Sequence, residues 1–405
     1  MNDGKIFEER NLGEPLAFDF ADQNRQVAKI RVVGVGGAGG NAINRMIEDQ
    51  LQGVDFIAMN TDLQALEHNH SPCQIQIGKN LTKGLGAGGN PEVGRKAIEE
   101  NKDAVIEVLS ETDMVFITCG MGGGTGTGAA PIVSEIARDL GALTVAIVTK
   151  PFVFEGARRM EKAETGIREL KENVDTLIVV PNQKLLSLVS KQTLLEDAFR
   201  VADEILLHST KGISDVINVP GLINLDFADV KAVMSQMGDA LMGSGLASGE
   251  NRAREAAEQA ISSPIIDDVS IMGALGVLVN ITGGEELSLN DINEATTVVY
   301  NAAGSEANII FGAVIDPSMN GELRVTVIAT GFNRDGLRSV FYGEKTKKVS
   351  EQTISGVSKD IPLFQKLETE PLEQVLGEVF VNDGGLSFTS KDDLNIPTFI
   401  RKQMD

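Results

Sequence analysis

Residues 120–131, GMGGGTGTGAAP, constrain this chain more than any other stretch. The apolar run 114–119 before it predicts a buried strand, and residues 129–140 after it have helical periodicity. A strand that feeds a helix through Gly122, Gly123, Gly124, Thr125, Gly126, Thr127 and Gly128 needs backbone that can enter left-handed regions and approach a ligand closely. Successive free N–H groups there make a nest for an anion, and Thr125 and Thr127 add hydroxyls. No lysine follows the glycines, so the run is not a Walker A loop. The charge of a phosphate must then be met by amides, by the helix N-terminus and by a divalent cation. A merely flexible turn would not need such length between two strong elements.

The rest of the chain repeats this grammar. Strand 29–33 runs into Gly34, Gly36, Gly37, Gly39, Gly40 and Asn41, which open a helix to about residue 50. Gly34, Gly36 and Gly39 match G-x-G-x-x-G in the strand-loop-helix setting that motif requires. A dinucleotide fold also wants an acid at the end of the next strand. Asp55 has the spacing but opens that strand, predicted over 55–59, and Asp62 lies beyond its end. A third glycine loop spans 82–91. Helices are predicted over 92–100, 103–109 and 157–172, and strands over 143–149 and 176–180. Apolar strands separated by helices indicate a mainly parallel, doubly wound sheet, whose ligand loops gather outside the carboxyl ends of the strands. The three glycine loops, Glu155 and Asn182 all fall there, and one anionic ligand touched by all of them explains the pattern.

A long amphipathic helix is predicted from 197 to about 208. Asp226 and Asp229 then open another helix and share one face by their spacing. Acids at a helix start are ordinary caps, and equally a pair that polarises water or holds a cation. A second α+β unit follows, with strands over 240–245, 276–281, 308–315 and 322–330 and helices over 251–261 and 288–303. It reads as a four-stranded sheet backed by helices.

The chain has 405 residues, enough for two domains with cores of their own. A net charge of -22 argues against nucleic-acid binding through a basic surface and makes self-association sensitive to salt and cations. Cys73 and Cys119 are too few for a disulfide framework, which points to a reducing compartment. His68, His70 and Cys73 cluster in sequence, and a polar loop explains them better than a metal site. Neither a signal peptide nor an apolar run of membrane-spanning length is present.

Residues 122–128 resemble the signature loop of the tubulin/FtsZ family of GTPases, and specifically its FtsZ branch, the tubulin-like proteins of bacterial cell division. The resemblance covers roughly 27–333 and the last residues. It implies a tubulin-like fold, in which a Rossmann-type sheet is joined by a central helix to the second α+β domain. It also implies GTP and GDP as ligands, with magnesium held mainly through phosphates and water. Gly36, Gly37, Gly39 and Gly40 match the first phosphate loop, with Asn41 at a guanine-contacting position. Residues 82–91, including Ala87, Gly88, Gly89 and Asn90, match the loop that senses the γ-phosphate. Glu155 and Arg159 match ribose-contacting positions. Asn182, Phe199 and Asp203 match the guanine pocket, with Phe199 as a flat packing surface and Asp203 as acceptor for the ring N–H groups.

By the same resemblance Asn224, Asp226 and Asp229 belong to the T7 loop, which completes hydrolysis in the GTP site of the next subunit of a head-to-tail filament. The implied organisation is an arm over 1–27, a GTP-binding domain over 28–193, a central helix and connection over 194–223 and a GTPase-activating domain over 224–333. A disordered linker over 334–391 follows, although Val379, Phe380 and Phe388 make it less low-complexity than such linkers often are. Residues 392–405 resemble a docking tail for FtsA-like and ZipA-like membrane-anchoring proteins, with Leu394, Ile396, Phe399 and Ile400 as apolar anchors around Pro397. The expected location is the cytoplasm, at the midcell ring beneath the inner membrane. Two other readings stay open: a scaffold that binds nucleotide without turnover, and a Rossmann oxidoreductase using NAD.

Overall fold

Alternation of apolar strands with amphipathic helices produces a layered α/β structure. It was obtained as a computed structural model and describes residues 28–187, 192–219, 221–223, 225–235, 238–263 and 271–332. The arm, the linker, the docking tail and Asn224 lie outside the described residues. The strands are β1 (Ile30–Val35), β2 (Val54–Asn60), β3 (Cys73–Gln76), β4 (Met114–Gly120), β5 (Leu143–Lys150), β6 (Thr176–Pro181), β7 (Gly238–Ser248), β8 (Gly276–Gly283), β9 (Asn308–Ile315) and β10 (Glu322–Thr330). The first six helices are α1 (Gly36–Glu48), α2 (Leu63–Glu67), α3 (Lys79–Thr82), α4 (Pro91–Glu100), α5 (Lys102–Leu109) and α6 (Thr125–Asp139). After them come α7 (Ala157–Asn173), α8 (Asn182–Leu185), α9 (Leu195–Asn218), α10 (Phe227–Met234), α11 (Arg252–Ile261) and α12 (Leu289–Ala303).

The strands form one sheet in the order β3-β2-β1-β4-β5-β6-β7-β10-β8-β9. Pairing is parallel from β3 to β7 and between β8 and β9, while β10 is antiparallel to both β7 and β8. Because side chains alternate along a strand, the sheet feeds two cores. Val33, Val35, Val115 and Ile117 enter one, and Val32, Met114 and Phe116 enter the other.

The four strands expected for the second unit are present as β7, β10, β8 and β9. They are not held to the first unit by the long helix alone. Gly238, Asp239 and Ala240 of β7 pair with Thr176, Leu177 and Ile178 of β6, so the sheet is continuous. Strand β7 is longer than the apolar pattern predicts, because Gly243 and Gly245 interrupt that pattern without ending the pairing. At Gly245 a Cβ would come within 2.1 Å of the Ala256 carbonyl oxygen, so glycine there lets α11 lie against the strand.

Helix α9 is also longer than expected. Its 24 residues span about 36 Å. It starts beside α8, which follows the carboxyl end of β6. At its other end Asn218 Nδ2 donates to the Gly53 carbonyl at 2.7 Å, just before β2 begins, and Lys211 pairs with Asp49 at 3.2 Å. The helix therefore carries the chain from the carboxyl edge of the parallel strands to their amino edge.

Candidate nucleotide site

Two helices begin inside glycine loops, and neither has a side-chain cap. Helix α1 follows Val35 and α6 follows Gly124, and both lack an acid in the first turn. Their initial N–H groups have no intrahelical acceptor, so both amino ends attract an anion. Glycine is needed here for two different reasons. Gly36 has φ +75°, and a Cβ there would sit 3.0 Å from Gly126 N, so the two loops touch through backbone. A Cβ on Gly34 would lie 2.4 Å from Gly39 O, and one on Gly39 would lie 2.4 Å from Thr118 O, which lets α1 pack onto β1 and β4. By contrast, a Cβ on Gly37, Gly88, Gly89 or Gly123 would meet nothing within 4 Å. Those four residues present backbone to open space.

A cavity of about 460 Å³ occupies part of that space, lined by Gly89, Gly122, Gly123, Gly124, Glu155, Arg158, Arg159 and Lys162. Loop 82–91 reaches it through a series of left-handed residues, Lys83, Gly84, Gly86, Gly88 and Gly89. Ala87 is buried against Gly124, while Asn90 accepts from Glu92 N at 3.1 Å and so caps α4. Lys162 Nζ donates to Gly89 O at 2.6 Å and ties the loop to α7. The hydroxyls of the signature loop are engaged within the protein. Thr127 Oγ1 accepts from Gly122 N at 2.9 Å, and Thr125 Oγ1 shares a hydrogen bond of 2.7 Å with Thr61 Oγ1. Both bonds brace the loop and the first engages the Gly122 amide, while the amides of Gly123 and Gly124 have no acceptor among the described residues and are left to meet a ligand.

Glu155 accepts from Phe152 N at 2.8 Å and pairs with Arg159 at 3.1 Å, so the ribose-type positions are fixed before any ligand arrives. Phe199 is 39% exposed and meets Phe152 edge-on at 5.4 Å between ring centroids. That leaves a ring face available for stacking. Asn182 starts α8; its Oδ1 is buried with no hydrogen-bond partner among the described residues. Such an orphan acceptor fits a site built for a ligand donor. Asp203 lies one turn after Phe199 on α9. Burial is the main reason its carboxyl is pushed up to about 7, with Arg45 lowering it and Glu204 raising it. Asn41 is exposed on α1.

Arg45, Arg158 and Lys162 escape sequence reading because lone cations on helices resemble solvated surface. In the structure Arg158 and Lys162 line the cavity, and Arg45 acts on Asp203. The first glycine loop lines a second cavity, about 370 Å³, through Gly36, Gly37, Gly40 and Asn41, with Asn44, Asn60, Asp62 and His68 also in its lining. Neither acid weighed for a dinucleotide ribose is free: Asp62 Oδ1 accepts from Gln64 N and Ala65 N at the start of α2, and Asp55 lies 3.8 Å from Arg31. His68 Nδ1 is 2.8 Å from Gln64 O, and Cys73 begins β3.

Asp226 and Asp229 are brought together at the start of α10, and both are exposed. Asp226 occupies the N-cap position without making a side-chain cap bond. They do not join the glycine loops. They follow the far end of α9, at the amino edge of the parallel strands.

Two family models match the chain. The GTPase domain of the Tubulin/FtsZ family matches residues 29–190, and the C-terminal domain of the FtsZ family matches residues 238–333. The cell division protein FtsZ of Pseudomonas aeruginosa is 47% identical over 400 residues, covering 96% of this chain and 100% of the relative. That of Coxiella burnetii is 48% identical over 387 residues, covering 95% and 99%. A solved FtsZ dimer from M. jannaschii superposes with a TM-score of 0.73 at 47% identity, over 76% of this chain and 89% of that one. With two uncapped helix starts, an open glycine cradle and these relatives in agreement, the chain belongs to the FtsZ family and is a tubulin-like cell-division GTPase whose nucleotides are GTP and GDP.

Proposed function

We propose that this GTPase assembles head to tail and that each copy completes the active site of its neighbour. One observation carries the proposal: the glycine cradle and the exposed pair Asp226 and Asp229 sit toward opposite ends of α9, a helix about 36 Å long. No side-chain movement spans that distance, so the pair serves a nucleotide only if the nucleotide belongs to another copy. Exposed apolar residues support the stacking. Val153 and Phe154 follow β5 at the nucleotide end, whereas Leu222 and Leu275 lie at the opposite end. Such a contact is heterologous and propagates into a filament. The solved M. jannaschii relative is described as a dimer.

In this reading Asn182, Phe199 and Asp203 select guanine, Asn41, Glu155 and Arg159 hold the nucleoside, and the loops at Gly36–Gly40, Ala87–Asn90 and Gly122–Gly128 cradle the phosphates. Asn224 would join the two aspartates at the junction. Among the described residues no group of three or more His, Cys, Asp or Glu side chains could hold a metal ion, so magnesium would be held by phosphate oxygens and water and would offset phosphate charge. The carboxylates of Asp226 and Asp229 orient a water for attack on the γ-phosphorus. The bond from phosphorus to the bridging oxygen breaks, leaving GDP and phosphate. Positioning and electrostatics supply most of the acceleration. Loss of the γ-phosphate then weakens the junction that allowed hydrolysis.

The domain division given above remains part of this reading, as does placement beneath the membrane at midcell. Among the described residues no helix is long and apolar enough to cross a membrane, so membrane attachment would run through FtsA-like and ZipA-like partners at residues 392–405. Phosphate release and sedimentation, followed against protein concentration with GTP and magnesium, test the proposal. Both should rise at one shared threshold. A rate strictly linear in protein would overturn it. Asp229→Ala should bind GTP normally and lose the assembly-stimulated release, with Asp226→Ala behaving similarly. Normal release by Asp229→Ala would remove the assigned role.

A further inference from the structure

The glycine run carries no lysine, yet the cavity beside it has one, Lys162 of α7. Helix α7 is set closely against the run. A Cβ on Gly122 would lie 2.6 Å from the Arg159 carbonyl oxygen, and one on Gly166 would lie 2.4 Å from Thr127 Cγ2. Arg158 and Lys162, four residues apart, share the helix face that lines the cavity with Gly89, Gly123 and Gly124. Lys162 Nζ donates to Gly89 O at 2.6 Å. An ammonium has three donors, and the other two find no acceptor among the described residues. No acid among them pairs with Lys162, whereas Arg159 is matched by Glu155 at 3.1 Å. Arg158 makes no hydrogen bond or ion pair among the described residues, so of the two cations only Lys162 is anchored to a glycine loop. Further along, α7 is joined to α4 by the ion pair of Glu169 with Arg95, and neither residue lines the cavity.

We propose that Lys162 is a specificity-determining residue for this GTPase: its ammonium bridges the Gly89 carbonyl and a terminal phosphate oxygen, so the γ-phosphate ties loop 82–91 to α7 and GTP is held more tightly than GDP. The inference rests on the reading of the glycine loops as the phosphate cradle. Backbone amides carry only partial charge and meet the phosphates of GDP and GTP alike. A full positive charge on the Gly89 side of the cavity adds an attraction that grows with the charge the ligand brings. The γ-phosphate brings that charge at the end of the phosphate chain, where loop 82–91 lies in this reading. The bond to Gly89 fixes one donor and so aims the other two, and a charge-assisted hydrogen bond to phosphate is stronger than a neutral one. The cation missing from the glycine run is thus supplied from a later helix.

Titration of the full chain, freed of nucleotide and held below its assembly threshold with magnesium present, tests this with two ligands, GDP and β,γ-imido GTP. Lys162→Met keeps most of the apolar stem and removes the charge and the donors. It should weaken the imido analogue about tenfold and GDP by less than about threefold, so that the preference for the triphosphate falls. Lys162→Arg keeps the charge and should restore most of that preference. Arg95→Gln loosens the α4–α7 seam outside the cavity. It should lower the Tm slightly with nucleotide absent and leave the preference unchanged, which is how a merely structural Lys162 would behave. An unchanged preference in Lys162→Met, or a lost one that Lys162→Arg does not restore, would overturn the proposal. So would a Lys162→Met chain that binds both nucleotides normally and only assembles at a higher threshold, since that assigns the ammonium to the junction between copies. Normal binding of GDP and the imido analogue by Gly123→Leu would instead remove the cradle reading itself.

Discussion

A Cβ at Gly128 would lie 1.9 Å from the Pro91 carbonyl oxygen, whereas one at Gly123 would meet nothing within 4 Å. These two glycines share a motif and do different things. Gly128 lets α6 and α4 cross with their backbones in contact, and neither backbone can retreat as a flexible side chain would. Gly123 keeps the cavity open. Gly128→Ala should therefore destabilise the protein by about 1–3 kcal/mol, read as a lower Tm with nucleotide absent. Gly123→Ala should leave that Tm nearly unchanged and weaken GDP binding by about tenfold, or about 1.4 kcal/mol. A reversed pattern would show that Gly123, not Gly128, is the packing residue. Sequence reading places both in an anion loop and cannot divide them, because the division depends on where Pro91 lies.

Helix α9 shows the same limit at the scale of an element. Its start is legible from the apolar period, but Thr210, Lys211 and Gly212 disguise its continuation. Gly212 is an approach point: a Cβ there would be 2.9 Å from Thr326 Cγ2 of β10. Strand β3 escapes for another reason, since it is only four residues long with polar Gln74 and Gln76. Asn182, Phe199 and Asp203 come from two helices and form a base site only by resemblance to the family; their own spacing contains no motif. The long helix also buries ionisable groups that face β9 and β10. Burial is the main cause at both His208, pushed down to about 4, and Asp215, pushed up to about 6. For Asp215 the unfolded carboxyl titrates near about 3.9, so between there and about 6 the folded chain holds the extra proton. Stability then falls as pH rises, by up to about 1.4 kcal/mol per pH unit from this group, and the loss is complete above the folded value. Asp215→Asn should flatten that part of the profile and stabilise the protein at about pH 8, measured by denaturant unfolding at a fixed saturating GDP concentration. An unchanged slope would mean that Asp215 is already ionised in the folded chain.

At the scale of the molecule the chain is polar in the directional sense: glycine-loop backbone at one end of α9, two exposed carboxylates at the other, and a net charge of -22 that opposes association unless salt or cations screen it. The fold class and the three glycine loops follow from sequence alone, and so does the pairing of Asp226 with Asp229. The continuity of the sheet from β6 into β7 does not, because three paired residues leave no periodic signature. That continuity and the long helix hold the glycine cradle and the aspartate pair apart, which makes complementation the sharpest test of the proposed sharing. Gly123→Leu should fill the nucleotide cavity and abolish GTP binding while leaving its aspartates intact. Asp229→Ala should keep the cavity and lack the carboxylate. Each alone should release phosphate no faster than background. Mixed in equal amounts, about a quarter of head-to-tail junctions join an intact cavity to an intact loop, provided the two variants co-assemble at random. Phosphate release should reappear in the mixture and grow with total protein concentration. A mixture no faster than the sum of its separate components, despite co-sedimentation of both variants, would mean that the aspartates serve the nucleotide of their own chain or none at all.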